Sequence, residues 1–200
     1  MTKSITGDVA RMLKDLQPVL KSFGKHCAVG GAVAMAFHGV DRYTKDLDVF
    51  AAEAVRNKLL RAIHEQGYRV EPIFEPFHYI ARPPWRTASD EARVDILFPS
   101  YEPEFSGVVS AEPIAISKGN AVRVFTPLML ALTRVYSTEP RHLTDLAMML
   151  ARGVLPVEEI RAALRAYNAD DLKVFEKKLK LISKRTIAPK RPKPGSFSSY

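Results

Sequence analysis

Apolar residues recur at helical spacing over residues 8–23, where Val9, Met12, Leu13, Leu16, Val19 and Leu20 share a face and Asp8 stands as the expected N-cap. Pro18 interrupts this pattern and predicts a kink. The period then changes. His26–Gly30 reads as a short buried strand running into a Gly-Gly pair, Ala32–Phe37 as one or two buried helical turns, and Leu47–Phe50 as a strand. Ala52–Gln66 is an amphipathic helix closed by Gly67. Tyr68–Phe74 and His78–Ala81 alternate as strands about a turn at Pro76, and Arg93–Phe98 is a β-branched strand with one acid. Residues 82–92 read as a loop and 99–113 as irregular, with prolines at 99, 103 and 113. Ile114–Ser117 and Ala121–Phe125 flank Lys118-Gly119-Asn120 as a hairpin. Thr126-Pro127 then pairs an N-cap with a first-turn proline, and helices are predicted over 127–137, 140–152, 156–167 and 170–183. The expected fold class is therefore α/β (α+β): a mixed sheet flanked by helices over residues 1–125, a helical part over 126–185, and a flexible basic tail over 186–200.

Charge changes this picture only at one end. The formal net charge is +8, but Leu172–Tyr200 alone holds nine Lys or Arg against one Glu, so the rest of the chain sums to zero. The basic character belongs to the C-terminal stretch and gives no sign of a positive groove on the core. The expected protein is cytoplasmic and makes no use of a membrane. No apolar run approaches the roughly 18 residues of a membrane span, and residues 1–16 lack a signal-peptide stretch. The single cysteine, Cys27, rules out an internal disulfide and reads as a small core residue.

The chemistry sits in carboxylates. Asp46 and Asp48 stand at i and i+2 of a strand and so point to one face, while Leu47 and Val49 enter the core. Two carboxylates held this close repel each other and raise the affinity for a cation. An oxygen-only pair suits magnesium, which takes its further ligands from substrate phosphates and water. Alone, the pair is equally readable as two solvated acids. Two more features bear on it. Val29-Gly30-Gly31-Ala32 places two glycines between a strand and a helix, where backbone N–H groups approach an anion closely or simply make a tight turn. Asp95 is an acid amid Arg93-Val94-Ile96-Leu97, where burial is expensive unless the charge is paired or coordinated; Arg93 or another base is the plainer partner.

Together these elements resemble the nucleotidyltransferase superfamily, which includes the DNA polymerase beta-like enzymes. The likeness rests on Val29-Gly30-Gly31-Ala32, the short helix, Asp46-Leu47-Asp48 and the third acid Asp95, and covers roughly residues 25–150. The segment Gly39-x-x-Arg42-x-Thr44-x-Asp46-x-Asp48 is similar to the AbiEii/MenT-type branch, found among toxins of bacterial toxin–antitoxin pairs. The resemblance implies a nucleotidyltransferase fold and a magnesium-dependent transfer of a nucleoside monophosphate from an NTP to a hydroxyl. Two Mg²⁺ ions are expected. Asp46 and Asp48 would hold metal against the triphosphate, and Asp95 would complete the second metal site and help deprotonate the hydroxyl. Gly30 and Gly31 would meet phosphate through the backbone. Arg42 and Lys45 would neutralise phosphate charge, Lys45 being equally readable as solvated, and Thr44 would position phosphate or support the start of the strand. Arg134, Arg141 and Asp145 fall where the family has helical residues near the nucleotide. A lysine common before that aspartate is Thr144 here, which leaves open a catalytically degenerate protein that binds nucleotide or a partner. The acceptors in view are RNA, especially a tRNA end held by the basic tail, a protein side chain or a small molecule; an antitoxin is the protein partner that the branch implies.

The remaining residues carry less. His26, His38, His64, His78 and His142 show no metal-ligand spacing. His38, near the proposed site, reads first as a packing or hydrogen-bonding residue. Trp85 either anchors its loop or stacks on a base. The lysines at 173, 177, 178, 180 and 184 read as a solvated helix face, or with Arg185, Lys190, Arg191 and Lys193 as a contact for RNA phosphates.

Overall fold

In the computed structural model of the protein, residues 5, 7–85, 91–99, 101–117 and 119–186 are described. The elements run α1 (Gly7–Phe23), β1 (Cys27–Val29), α2 (Gly31–Phe37), β2 (Asp46–Ala51), α3 (Arg56–Glu65), β3 (Arg69–Phe74), β4 (His78–Arg82) and β5 (Arg93–Leu97). They continue through α4 (Glu104–Ser110), β6 (Glu112–Ser117), β7 (Asn120–Val124), α5 (Pro127–Tyr136), α6 (Pro140–Ala151), α7 (Val157–Tyr167) and α8 (Ala169–Thr186). The strands form one sheet in the order β3-β4-β5-β2-β1-β7-β6. β2 lies parallel to β5 and antiparallel to β1, and β1 lies parallel to β7. Short apolar strands explain the centre: Cys27, Ala28 and Val29, then Leu47 and Val49, then Val94 and Ile96, are all buried.

Two groups of helices cover this sheet. α1 packs on β1, β2, β7 and α3, and its six expected apolar residues are all buried. α2, α4 and α5 form the other group, and α5 also packs against α6, α7 and α8. Thr126 caps α5 by accepting from the Met129 N–H, with Pro127 in the first turn. The C-terminal helices are tied to the core through Phe175, which is fully buried.

Three expectations are corrected. Residues 99–113 are not irregular: they contain α4, whose Gly107 and Val108 are buried because a Cβ on Gly107 would strike the Phe125 ring. The helix expected over 52–66 begins as a 3-10 turn, Glu53–Val55, before α3. Asp8 lies in the first turn of α1 rather than at its cap, where an acid still meets the helix dipole favourably. The tail beyond Thr186, the loop residues 86–90 and Lys118 lie outside the described residues. Among the described residues no helix is long and apolar enough to cross a membrane.

Candidate active site

Parallel pairing of β2 with β5 sets Asp48 opposite Asp95 and Asp46 opposite Arg93. Because side chains alternate along a strand, Asp46, Asp48 and Asp95 all project from the same face. One carboxylate oxygen from each lies within 4.8 Å of the others. Asp95 is 5% exposed, whereas Asp46 and Asp48 are half-buried. Gly31, at φ +59°, begins α2 directly against this group: a Cβ there would sit 1.6 Å from Asp48 Oδ2. Glycine is therefore required twice over, by its backbone conformation and by the close approach of Asp48.

The partners of the three acids differ. Asp95 receives the Arg93 Nε–H at 3.0 Å and lies 2.8 Å from His78 Nε2. The Thr44 hydroxyl donates to Asp46. Burial raises the Asp48 carboxyl to about 7, with Asp46 and Asp95 adding repulsion and Arg134 and Arg141 pulling the other way. Such a group of hard oxygens, electrostatically strained when fully ionised, fits a divalent cation such as magnesium.

These residues line a cavity of about 530 Å³ with α5 and α6 forming much of its other wall. Arg42 reaches across from the segment before β2, its Nε 3.1 Å from Asp145 Oδ1. Asp145 and Arg134 are buried, at 2% and 5% exposure. Arg134 donates to Thr133 Oγ1 at 2.9 Å, and its Nε stands 3.8 Å from Asp145 Oδ2. Neither that Nε nor that Oδ2 has a hydrogen-bond partner. Burial lowers the Arg134 pKa, against the pull of Asp145 and Asp48. Arg141 lines the cavity and pairs with Glu139 at 2.5 Å.

Not every expected residue is gathered here. Gly30 lies off the cavity: its N–H donates to the Asp48 carbonyl at 3.0 Å, and the Phe50 ring fills the space beside its Cα. Lys45 pairs with Glu91 on the exterior. Thr44 is buried beneath Asp46, so it supports the start of β2. His38 bonds the Phe125 carbonyl at 2.8 Å. Trp85 donates to Asp15 at 3.1 Å with Arg11 4.3 Å over its ring, which anchors its loop to α1. Six cavity residues escaped the sequence reading of the site: His78, Arg93 as an Asp95 partner inside the cavity, Tyr101, Glu104, Tyr136 and His142. Only Arg93, two residues from Asp95, offered a local signal; His78 reaches Asp95 through the β4–β5 register.

No family model matches the sequence, and no curated protein matches it. Among solved structures, the chain is similar to ANT(2")-Ia in complex with adenylyl-2"-tobramycin, at 16% identity and TM-score 0.54, covering 79% of this chain and 97% of that one. It is also similar to an antigenic nucleotidyltransferase-like protein from Paracoccidioides brasiliensis, at 16% identity and TM-score 0.50, covering 88% of this chain and 93% of that one. The mixed sheet, its flanking helices and the helical C-terminal part together make a nucleotidyltransferase fold of the polymerase beta-like kind.

Proposed function

We propose that this protein is a magnesium-dependent nucleotidyltransferase, moving a nucleoside monophosphate from an NTP to a hydroxyl acceptor. The observation that carries the reading is the meeting of Asp46, Asp48 and Asp95, with oxygens within 4.8 Å, in a cavity that Arg42, Arg134 and Arg141 also line. Asp46 and Asp48 hold the cation, and Asp95, oriented by His78 and Arg93, serves a second one. Magnesium bound there would neutralise phosphate charge and ease ionisation of the hydroxyl. The acceptor oxygen bonds to the α-phosphorus as the bond to the bridging oxygen breaks and pyrophosphate leaves. Asp95 receives the hydroxyl proton at its carboxylate. Arg42 and Arg141 meet the phosphates from the cavity wall. Arg134 acts from beneath, because it is buried.

An RNA end as acceptor, with an antitoxin as partner, goes with the toxin resemblance of Gly39–Asp48 and with the basic residues beyond Leu172. A protein side chain or a small molecule needs neither. The test is label transfer with each α-labelled NTP, magnesium and a pool of cellular RNA, protein and metabolites. ATP comes first because the similar ANT(2")-Ia structure holds an adenylyl product. Label is expected to move with the wild type and not with Asp46→Ala/Asp48→Ala, and the labelled species names the acceptor. Magnesium-dependent nucleotide binding without transfer to anything in the pool would favour the degenerate binding protein instead.

A further inference from the structure

One end of the cavity has a different chemistry from the rest. Each lining arginine already has a carboxylate: Arg42 and Arg134 meet Asp145, Arg93 meets Asp95, and Arg141 meets Glu139. Six lining carboxylates face these four arginines. Glu104, at the start of α4, is a carboxylate outside those pairs. It is hydrogen-bonded to the Tyr101 hydroxyl, and among the described residues no Lys or Arg forms an ion pair with it. Tyr136 lines the same end, and its hydroxyl donates to Asp171 at 2.7 Å. Glu102 and Tyr167 lie close enough to Tyr136 to act on it electrostatically. The segment behind this wall, residues 94–117, carries Asp95, Glu102, Glu104 and Glu112 and no Lys or Arg. Lys178 approaches from α8, but its ammonium is tied to the Arg134 and Ser137 carbonyls at 2.8 and 2.5 Å. A second, independent sign lies in the opposite wall. Asp145, 2% exposed, has an Oδ2 that accepts no hydrogen bond, so this wall too lacks a donor.

We infer that the Tyr101–Glu104–Tyr136 wall is the acceptor subsite and that the acceptor is a hydroxyl-bearing organic cation, whose ammonium or guanidinium Glu104 and the tyrosine rings receive. Carboxylates and aromatic faces attract such a group, and a triphosphate carrying two magnesium ions is near neutral, so the negative excess survives loading. A polyanion approaching the same wall meets repulsion and no basic side chain. The inference rests on the nucleotidyltransferase reading of the cavity. Two sources share this chemistry. One is a free amino alcohol. The other is a basic peptide segment, of which the chain's own residues 190–200 are an instance, with Lys190, Arg191 and Lys193 followed by Ser196, Ser198, Ser199 and Tyr200.

The test uses the full chain, magnesium and a non-hydrolysable NTP analogue, with calorimetry recording nucleotide loading first. Failure to load would strike the underlying reading and take this inference with it. On the loaded protein, glucosamine is expected to bind at least about tenfold tighter than glucose if the source is a free amino alcohol. If it is a peptide, the 190–200 peptide is expected to exceed its Lys190→Gln/Arg191→Gln/Lys193→Gln counterpart by at least about tenfold. Glu104→Gln should bring the preferred ratio toward one. Equal affinities within both pairs overturn the inference, as does a ratio that persists in Glu104→Gln, or an RNA oligonucleotide that displaces both cations. The wild-type ratios stand whether or not the variant folds.

Discussion

At the scale of single residues, Asp48 sets folding against function. Its carboxyl is raised from 3.8 to about 7, chiefly by burial and then by Asp46 and Asp95. Between those two values the folded protein holds a proton that the unfolded chain has released. Stability from this group is therefore full below about pH 4, falls as pH rises, and levels off above about pH 7. Asp48→Asn removes the charge and keeps the shape. In the metal-free protein its gain in Tm over wild type should grow from pH 5 to pH 7 and then stay level, reaching about 5 °C. Thermal melts in a chelator across pH 5–8 check this; a difference that does not change with pH would mean that Asp48 ionises freely in the fold. Added magnesium should reverse the order, stabilising the wild type and leaving Asp48→Asn behind. The sharing of a face by Asp46 and Asp48 was legible from their spacing alone. The pressure on Asp48 was not, because it comes from Asp95, forty-seven residues away and brought opposite by the β2–β5 register, and from the backbone of Gly31.

At the scale of elements, the segment leading into β2 sorts its side chains. Arg42, Asp46 and Asp48 reach the cavity, Thr44 lies beneath Asp46, and Lys45 turns to the exterior and Glu91. The sequence alone treats Arg42 and Lys45 as equivalent cations, since irregular backbone before a strand gives no period from which to tell inside from outside. Arg42→Ala should weaken magnesium–NTP binding by about 10- to 100-fold, the range of a charge-assisted hydrogen bond. Lys45→Ala should change it by less than about twofold, since an exposed pair contributes little. Calorimetric titration with a non-hydrolysable NTP analogue distinguishes the two, and equal losses would sink the assignment. The same limit explains the elements that were missed. Strong periodicity placed α1, β1, β2, β5 and α5 within a few residues. Residues 99–113 carry three prolines, which mark breaks, while α4 is a seven-residue helix held by packing of Gly107 and Val108 against Phe125 rather than by its own pattern. Two of the cavity residues that escaped the reading, Tyr101 and Glu104, belong to this stretch.

At the scale of the molecule, the division into a core over 1–125 and a helical part over 126–185 meets a physical objection. The cavity belongs to both: Asp46, Asp48 and Asp95 come from strands of the core, whereas Thr133, Arg134 and Asp145 come from α5 and α6. α5 packs against α2 and α4 on one side and against α6, α7 and α8 on the other, with Leu130, Ala131 and Leu132 fully buried. A core stripped of α5 would expose that apolar surface and leave Arg42 without Asp145. The two parts should therefore unfold in one transition. Trp85, the only tryptophan, reports on the core through its contacts with α1, and far-ultraviolet circular dichroism reports mainly on the helices. Melts followed by the two signals should coincide. Magnesium with NTP at about a hundredfold excess over Kd should raise both midpoints together, by about 5–10 °C. In Asp46→Ala/Asp48→Ala neither should move. Separate midpoints would make the helical part an independent unit and restore the two-part division. A ligand shift confined to the tryptophan signal would mean that α5 and α6 only flank the nucleotide, without holding it.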